Sequence, residues 1–109
     1  MTEKSRQTLK KLSKVIDNSH IVRCAVGIGE LREEVWQDAS GQEVRYNLAF
    51  INHHLFSGDN GRVLGYDTAH GHLHRHFAGQ VKEIAPVSYS EILERFIAEV
   101  SELKKRKML

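Results

Sequence analysis

The sequence predicts an α+β fold, an antiparallel sheet of about four strands with an N-terminal and a C-terminal helix packed on it. Three observations carry this expectation. Each end of the chain places apolar residues at helical spacing, the middle alternates apolar with polar residues, and turn-forming clusters cut that middle into short runs.

Over residues 4–17, Leu9, Leu12, Val15 and Ile16 follow the i, i+3, i+6, i+7 spacing of one apolar stripe, with lysines between them. A helix is expected there, ending near Asn18 and Ser19. From His20 to Glu30 the Ile- and Val-rich run predicts a strand, bent near its end by Gly27 and Gly29. The GIGEL segment lacks the third glycine of a GxGxxG fingerprint and gives no nucleotide site. Leu31 to Trp36 predicts a second strand, closed by the turn Asp38-Ala39-Ser40-Gly41.

Residues 43–56 alternate Val44, Tyr46, Leu48 and Phe50 with Arg45, Asn47 and Ala49, the pattern of a half-buried strand. Ser57 to Gly61 reads as a hairpin turn, and the return strand runs from Arg62 to about Ala69. A turn centred on Asp59-Asn60 sets Asn52 to His54 opposite Gly65 to Asp67. After Pro86, Ser88 and Glu91 form a capping box. Ile92, Leu93, Phe96, Ile97, Val100 and Leu103 then make a broad apolar stripe. Such a stripe suits the chain's own sheet or that of a second copy in a homodimer.

A chain of 109 residues supports one core, so residues 1–109 are expected to form a single domain. No apolar run approaches the roughly 20 residues that span a bilayer. The opening MTEKSRQTLKKL has no signal-peptide character, so the expectation is a cytoplasmic protein without a membrane partner. Cys24 is the only cysteine, which excludes an internal disulfide and a cysteine-based zinc site. The net charge of +2 is uneven. Five cations in residues 1–19 face only Glu3 and Asp17, and four in residues 101–109 face only Glu102. Basic ends on an acidic body can meet nucleic acid, although lysines also decorate solvated helix faces.

The chemistry concentrates in GYDTAHGHLHRH, residues 65–76, where His70, His72, His74 and His76 fall on every second position. In an extended segment these four imidazoles share a face with Tyr66 and Thr68, while Asp67 and Arg75 take the other. Taken singly, a histidine is most often a surface strand residue. Four of them with Asp67 and Arg75 in a dozen residues point to function. His20 stands apart, Cys24 reads as core, and at most one of His53 and His54 can join the group.

One use is metal binding, with a divalent, zinc-like ion held by His70, His72, His74 and His76. Alternate strand residues lie about 6.5–7 Å apart, however, so the four cannot all converge on one ion. The other use needs no cofactor. Cleavage of RNA through its own 2′-hydroxyl requires a base, an acid and a cation for the phosphorane charge. A pair of the histidines supplies base and acid, Arg75 clamps the phosphate, Tyr66 donates to it, and Asp67 orients an imidazole.

From Arg45 to about Val100, the chain resembles the TumE-like toxins of prokaryotic toxin–antitoxin pairs. The likeness rests on a strand of the RYNLAF type, a turn, a strand ending in Tyr66-Asp67, a histidine-rich H-x-H segment and a C-terminal helix. Tyr66, Asp67, His70, His74, Arg75 and His76 match the family's polar segment. The basic N-terminal stretch departs from it, since those proteins begin with a strand. The resemblance implies a toxin neutralised by direct contact with a protein antitoxin, with RNA as substrate. The leading expectation is therefore a metal-independent, toxin-like ribonuclease. Its rival is a non-enzymatic metal- or ligand-binding or interaction module that uses the same histidine face.

Overall fold

The computed structural model describes residues 11–69 and 71–109. The described residues form six strands: β1 (Ser13–Arg23), β2 (Ile28–Gln37), β3 (Glu43–Ile51), β4 (Arg62–Ala69), β5 (His72–Phe77) and β6 (Gln80–Glu83). They form one antiparallel sheet in which each strand lies beside the next in sequence. A single helix among the described residues, α1 (Tyr89–Leu103), packs over β3 and β4.

The expected four strands between two helices are thus corrected to six strands and one helix. Residues 13–17 of the predicted N-terminal helix belong to β1, where Lys14 pairs with Trp36 and Ile16 with Val35. Residues 4–10 lie outside the described residues. The helical stripe rested on four positions, and two of them, Val15 and Ile16, are β-branched and favour an extended chain. Cross-strand pairing along β2 outweighs that short periodicity. The strand expected over residues 20–30 splits, because Gly27 takes φ +64° and the chain reverses between Arg23 and Ile28. The additional strands come from the histidine segment, which pairs as β5, and from Gln80–Glu83 beyond it.

The core lies between the sheet and α1. Val35, Tyr46, Leu48, Phe50, Leu64 and Tyr66 point to the helix, which answers with Ile92, Phe96, Val100 and Leu103. Each fully buried aliphatic or phenyl group contributes roughly 1.5–3 kcal/mol relative to its exposed state. The apolar stripe of α1 therefore docks on the chain's own sheet, leaving Ile97 exposed. Ser88 caps the helix by accepting the Glu91 N–H at 3.1 Å, as its position before the stripe predicted. At the other end, the Lys104 carbonyl accepts the Ala25 N–H at 2.7 Å, which pins the β1–β2 turn to the helix. Among the described residues no helix is long and apolar enough to cross a membrane.

All three tyrosines sit where the sheet and α1 meet, and burial raises the pKa of each. Tyr46 is pushed up to about 12 by desolvation, with the Asp67 charge adding to it. Burial lifts Tyr89 further still, helped by its hydrogen bond to Glu33. Tyr66 is raised by burial and then by Glu99. An unfolded phenol ionises near 10, so the stability these groups supply is complete below that value and is lost as pH climbs through the folded values. We expect stability to fall between about pH 10 and 12, with phenolate absorbance appearing together with unfolding. A separate ionisation step near pH 10 in the folded protein would contradict this.

Candidate functional site: a histidine–aspartate cluster on the open face

The face of the sheet turned away from α1 carries the polar residues. In the β4–β5 register Asp67 lies opposite His74 and Gly65 opposite His76, while Tyr66 lies opposite Arg75. Cross-strand partners share a face, so Asp67, His72, His74 and His76 project together from the open side. Tyr66 and Arg75 project toward the helix. The expected grouping of Tyr66 with the histidines and of Asp67 with Arg75 is corrected: the turn at Gly71, φ +78°, folds the segment back on itself and resets which residues face together. His70 lies outside the described residues.

Arg75 does not reach the histidines. Its guanidinium pairs with the Glu99 carboxylate of α1, and its Nε–H donates to the Tyr66 hydroxyl at 3.2 Å. Tyr66 in turn donates to Glu99. The Glu99 hydrogen bond raises the Arg75 ionisation, so the guanidinium is held charged and occupied. This trio locks helix to sheet and replaces the phosphate-clamp role expected for Arg75. Arg75→Ala should cost about 1–3 kcal/mol, the range for a partly buried charged hydrogen-bond partner. Thermal unfolding checks the loss.

On the open face Asp67 is the centre. Its Oδ2 lies 2.8 Å from His76 Nε2, and its Oδ1 lies 3.8 Å from His74 Nδ1. Arg62, which sequence reasoning missed, approaches both. Its Nη1 is 3.6 Å from Asp67 Oδ2, its Nη2 is 3.0 Å from His76 Nδ1, and its Nε–H donates to Asp59 Oδ2 at 2.8 Å. Two backbone features bring it there. Phe50 pairs with Leu64 but Ile51 with Arg62, so Val63 is an extra residue that turns Arg62 onto the Asp67 face. Gly65 then leaves the space that Arg62 fills, since a Cβ at that position would stand 2.8 Å from Arg62 Cδ. The glycine of the GYD sequence was the available signal, as an interior strand glycine marks a close approach.

Asn47 completes the cluster from β3, directly opposite Asp67. Its Nδ2 donates to Glu34 Oε1 at 3.3 Å, and Glu34 also binds Lys14 at 2.7 Å, the contact that holds the Glu34 carboxyl below its usual range. One transverse line of polar side chains thus crosses the whole sheet, from Asp17 through Glu34, Asn47, Asp67 and His74 to Glu83. Asn47 Oδ1, His74 Nδ1 and His76 Nε2 are buried atoms without a hydrogen-bond partner among the described residues. The His76–Asp67 approach is therefore close but not aligned as a hydrogen bond.

The three described histidines of this segment differ in setting. The His76 side chain is 14% exposed, with Nδ1 engaged by Arg62 and Nε2 close to Asp67 but not hydrogen-bonded to it. His74 is 23% exposed, with Nδ1 toward Asp67. His72 is 60% exposed, 3.4 Å from Glu83. Neither His53 nor His54 belongs to the cluster, because Asn47, not Asn52, stands opposite Asp67. The His53 and His54 rings instead pack on Gly61 and Gly27. Among the described residues no group of three or more His, Cys, Asp or Glu side chains is arranged to hold a metal ion.

Beside the cluster lies a cleft of about 700 Å³ whose walls include Trp36, Arg45, Asn47, Asp67 and Thr68. It opens where β3 extends past its pairing with β4, and the Tyr46 N–H there donates to Thr68 Oγ1 at 3.0 Å. Trp36, the sole tryptophan, has Lys14 Nζ at 5.0 Å and the Arg45 guanidinium at 4.8 Å from its ring centre. The arrangement provides an imidazole next to a carboxylate, and an aromatic ring with two cations alongside. The chain matches no family model, no curated protein and no solved structure.

Proposed function

We propose that the protein is a toxin-like ribonuclease that cleaves RNA without a metal ion, using the open face of its sheet. The observation that carries the reading is Asp67 set between His74 and His76 beside the Trp36–Arg45 cleft. With Asp67 on the Nδ1 side, His74 offers Nε2 as the base that takes the 2′-hydroxyl proton. The 2′-oxygen attacks phosphorus and the 5′-oxygen leaves. Protonated His72, two residues away on the same strand face and about 6.5–7 Å along it, gives that oxygen its proton. Arg45 and Lys14 hold the strand's phosphates, and Trp36 offers an aromatic surface to an unstacked base. The sequence resemblance to TumE-like toxins supports RNA as substrate and a protein antitoxin as the partner that covers this face.

The test is incubation of untagged protein with single-stranded RNA in excess chelator. The expected products end in a 2′,3′-cyclic phosphate and a free 5′-hydroxyl. Intact RNA overturns the reading. Intact RNA, with a stoichiometric metal found in the purified protein before chelator is added, favours the rival, a non-enzymatic metal-binding module.

A further inference from the structure

We infer that Arg62 is a positioning residue that fixes where the proton sits on the neutral His76 ring. A guanidinium has donors and no acceptor, so its N–H directed at His76 Nδ1 at 3.0 Å requires a lone pair on that nitrogen. A neutral His76 ring must then carry its proton on Nε2, which lies 2.8 Å from Asp67 Oδ2. Arg62 Nη1, at 3.6 Å, holds that same carboxylate oxygen from a second direction. His74 Nδ1 stands 3.8 Å from Oδ1, beyond hydrogen-bond reach, so this contact does not set its tautomer. Asp59 holds the other side of the guanidinium at 2.8 Å, and Gly65 provides the floor on which its stem lies. Arg62 therefore sets the tautomer of the ring it touches.

The His76 tautomer does not rest on the ribonuclease reading, so each can fail separately. The experiment is nitrogen-15 NMR of the imidazoles at about pH 8.5, about two units above the ordinary imidazole value, on wild type, Arg62→Met and Arg62→Lys. Methionine keeps the apolar stem without a donor, and lysine restores one. Wild type is expected to show His76 as the Nε2–H form. Arg62→Met is expected to give mixed tautomers at this ring, and Arg62→Lys to recover the wild-type form. Wild-type His76 in the Nδ1–H form, or an unaltered ring in Arg62→Met, overturns the inference whether or not RNA is cut. The expected tautomer in a protein that leaves RNA intact overturns the ribonuclease reading alone.

Discussion

Asn52→Leu should lower the stability of the fold by about 3 kcal/mol or more, the largest loss expected from any single polar side chain of this protein. Asn52 is fully buried. Its Oδ1 accepts the His54 and Leu55 N–H groups at 2.9 and 3.1 Å, and its Nδ2 donates to the Val26 carbonyl at 2.9 Å. Leucine fills a similar volume but leaves all three backbone groups without that partner. Each buried group so orphaned costs about 1–3 kcal/mol. The residue also links two turns, because Val26 belongs to the β1–β2 reversal that Ala25 ties to α1. Asn52→Asp keeps both acceptor contacts and loses the donor, so it should fall between wild type and leucine if only hydrogen bonding matters. Thermal unfolding reads the outcome as a drop on the order of 10–20 °C for leucine. A change within a degree or two would show that the loop does not depend on this amide.

The second large effect is chemical. His74→Ala should reduce RNA cleavage by about 10²- to 10⁴-fold, the usual contribution of a positioned acid–base group. Stability should stay within about 0.5 kcal/mol of wild type, since the ring lies near the surface and fills no core. It faces the Asp67 carboxylate through Nδ1, and nothing else among the described residues engages its Nε2. His72 instead faces Glu83 at 3.4 Å and is 60% exposed, and His76 Nδ1 is taken by Arg62. Single-turnover rates for the three alanine variants decide the assignment. Full activity in His74→Ala with a stable fold would remove it from the reaction.

Much of this arrangement was legible before any coordinates. The capped helix after Pro86 and the return strand Arg62–Ala69 follow from local signals, because Ser88 acts within its own turn and Gly61, φ +81°, marks where the loop ends. The register of β3 on β4 was not legible. Leu55 and Phe56 prolong the apolar pattern past Ile51, and only the contacts of Asn52 show that the chain has already left the sheet. That misplaced end moved His53 and His54 toward Asp67. His72, His74 and His76 share one strand face, as their alternate spacing predicts, and His70 lies outside the described residues. The partners of this segment were mixed across the two faces, since a hairpin tip beside Gly71 changes which residues line up. Arg62 and Glu99 stayed hidden because each meets its partner through the fold rather than through spacing.

The strand order has a bearing on how the molecule comes to be made. Each hairpin can zip onto the previous one as synthesis proceeds, with only short loops to close. The greasy side of β3 and β4, however, waits for a helix that leaves the ribosome after all six strands. Until then Leu48, Phe50 and Leu64 stand bare on a half-finished sheet, a state open to sticking to its own kind. A nascent chain stalled before Tyr89 should therefore bind chaperones strongly, and release should coincide with emergence of the last helical turn.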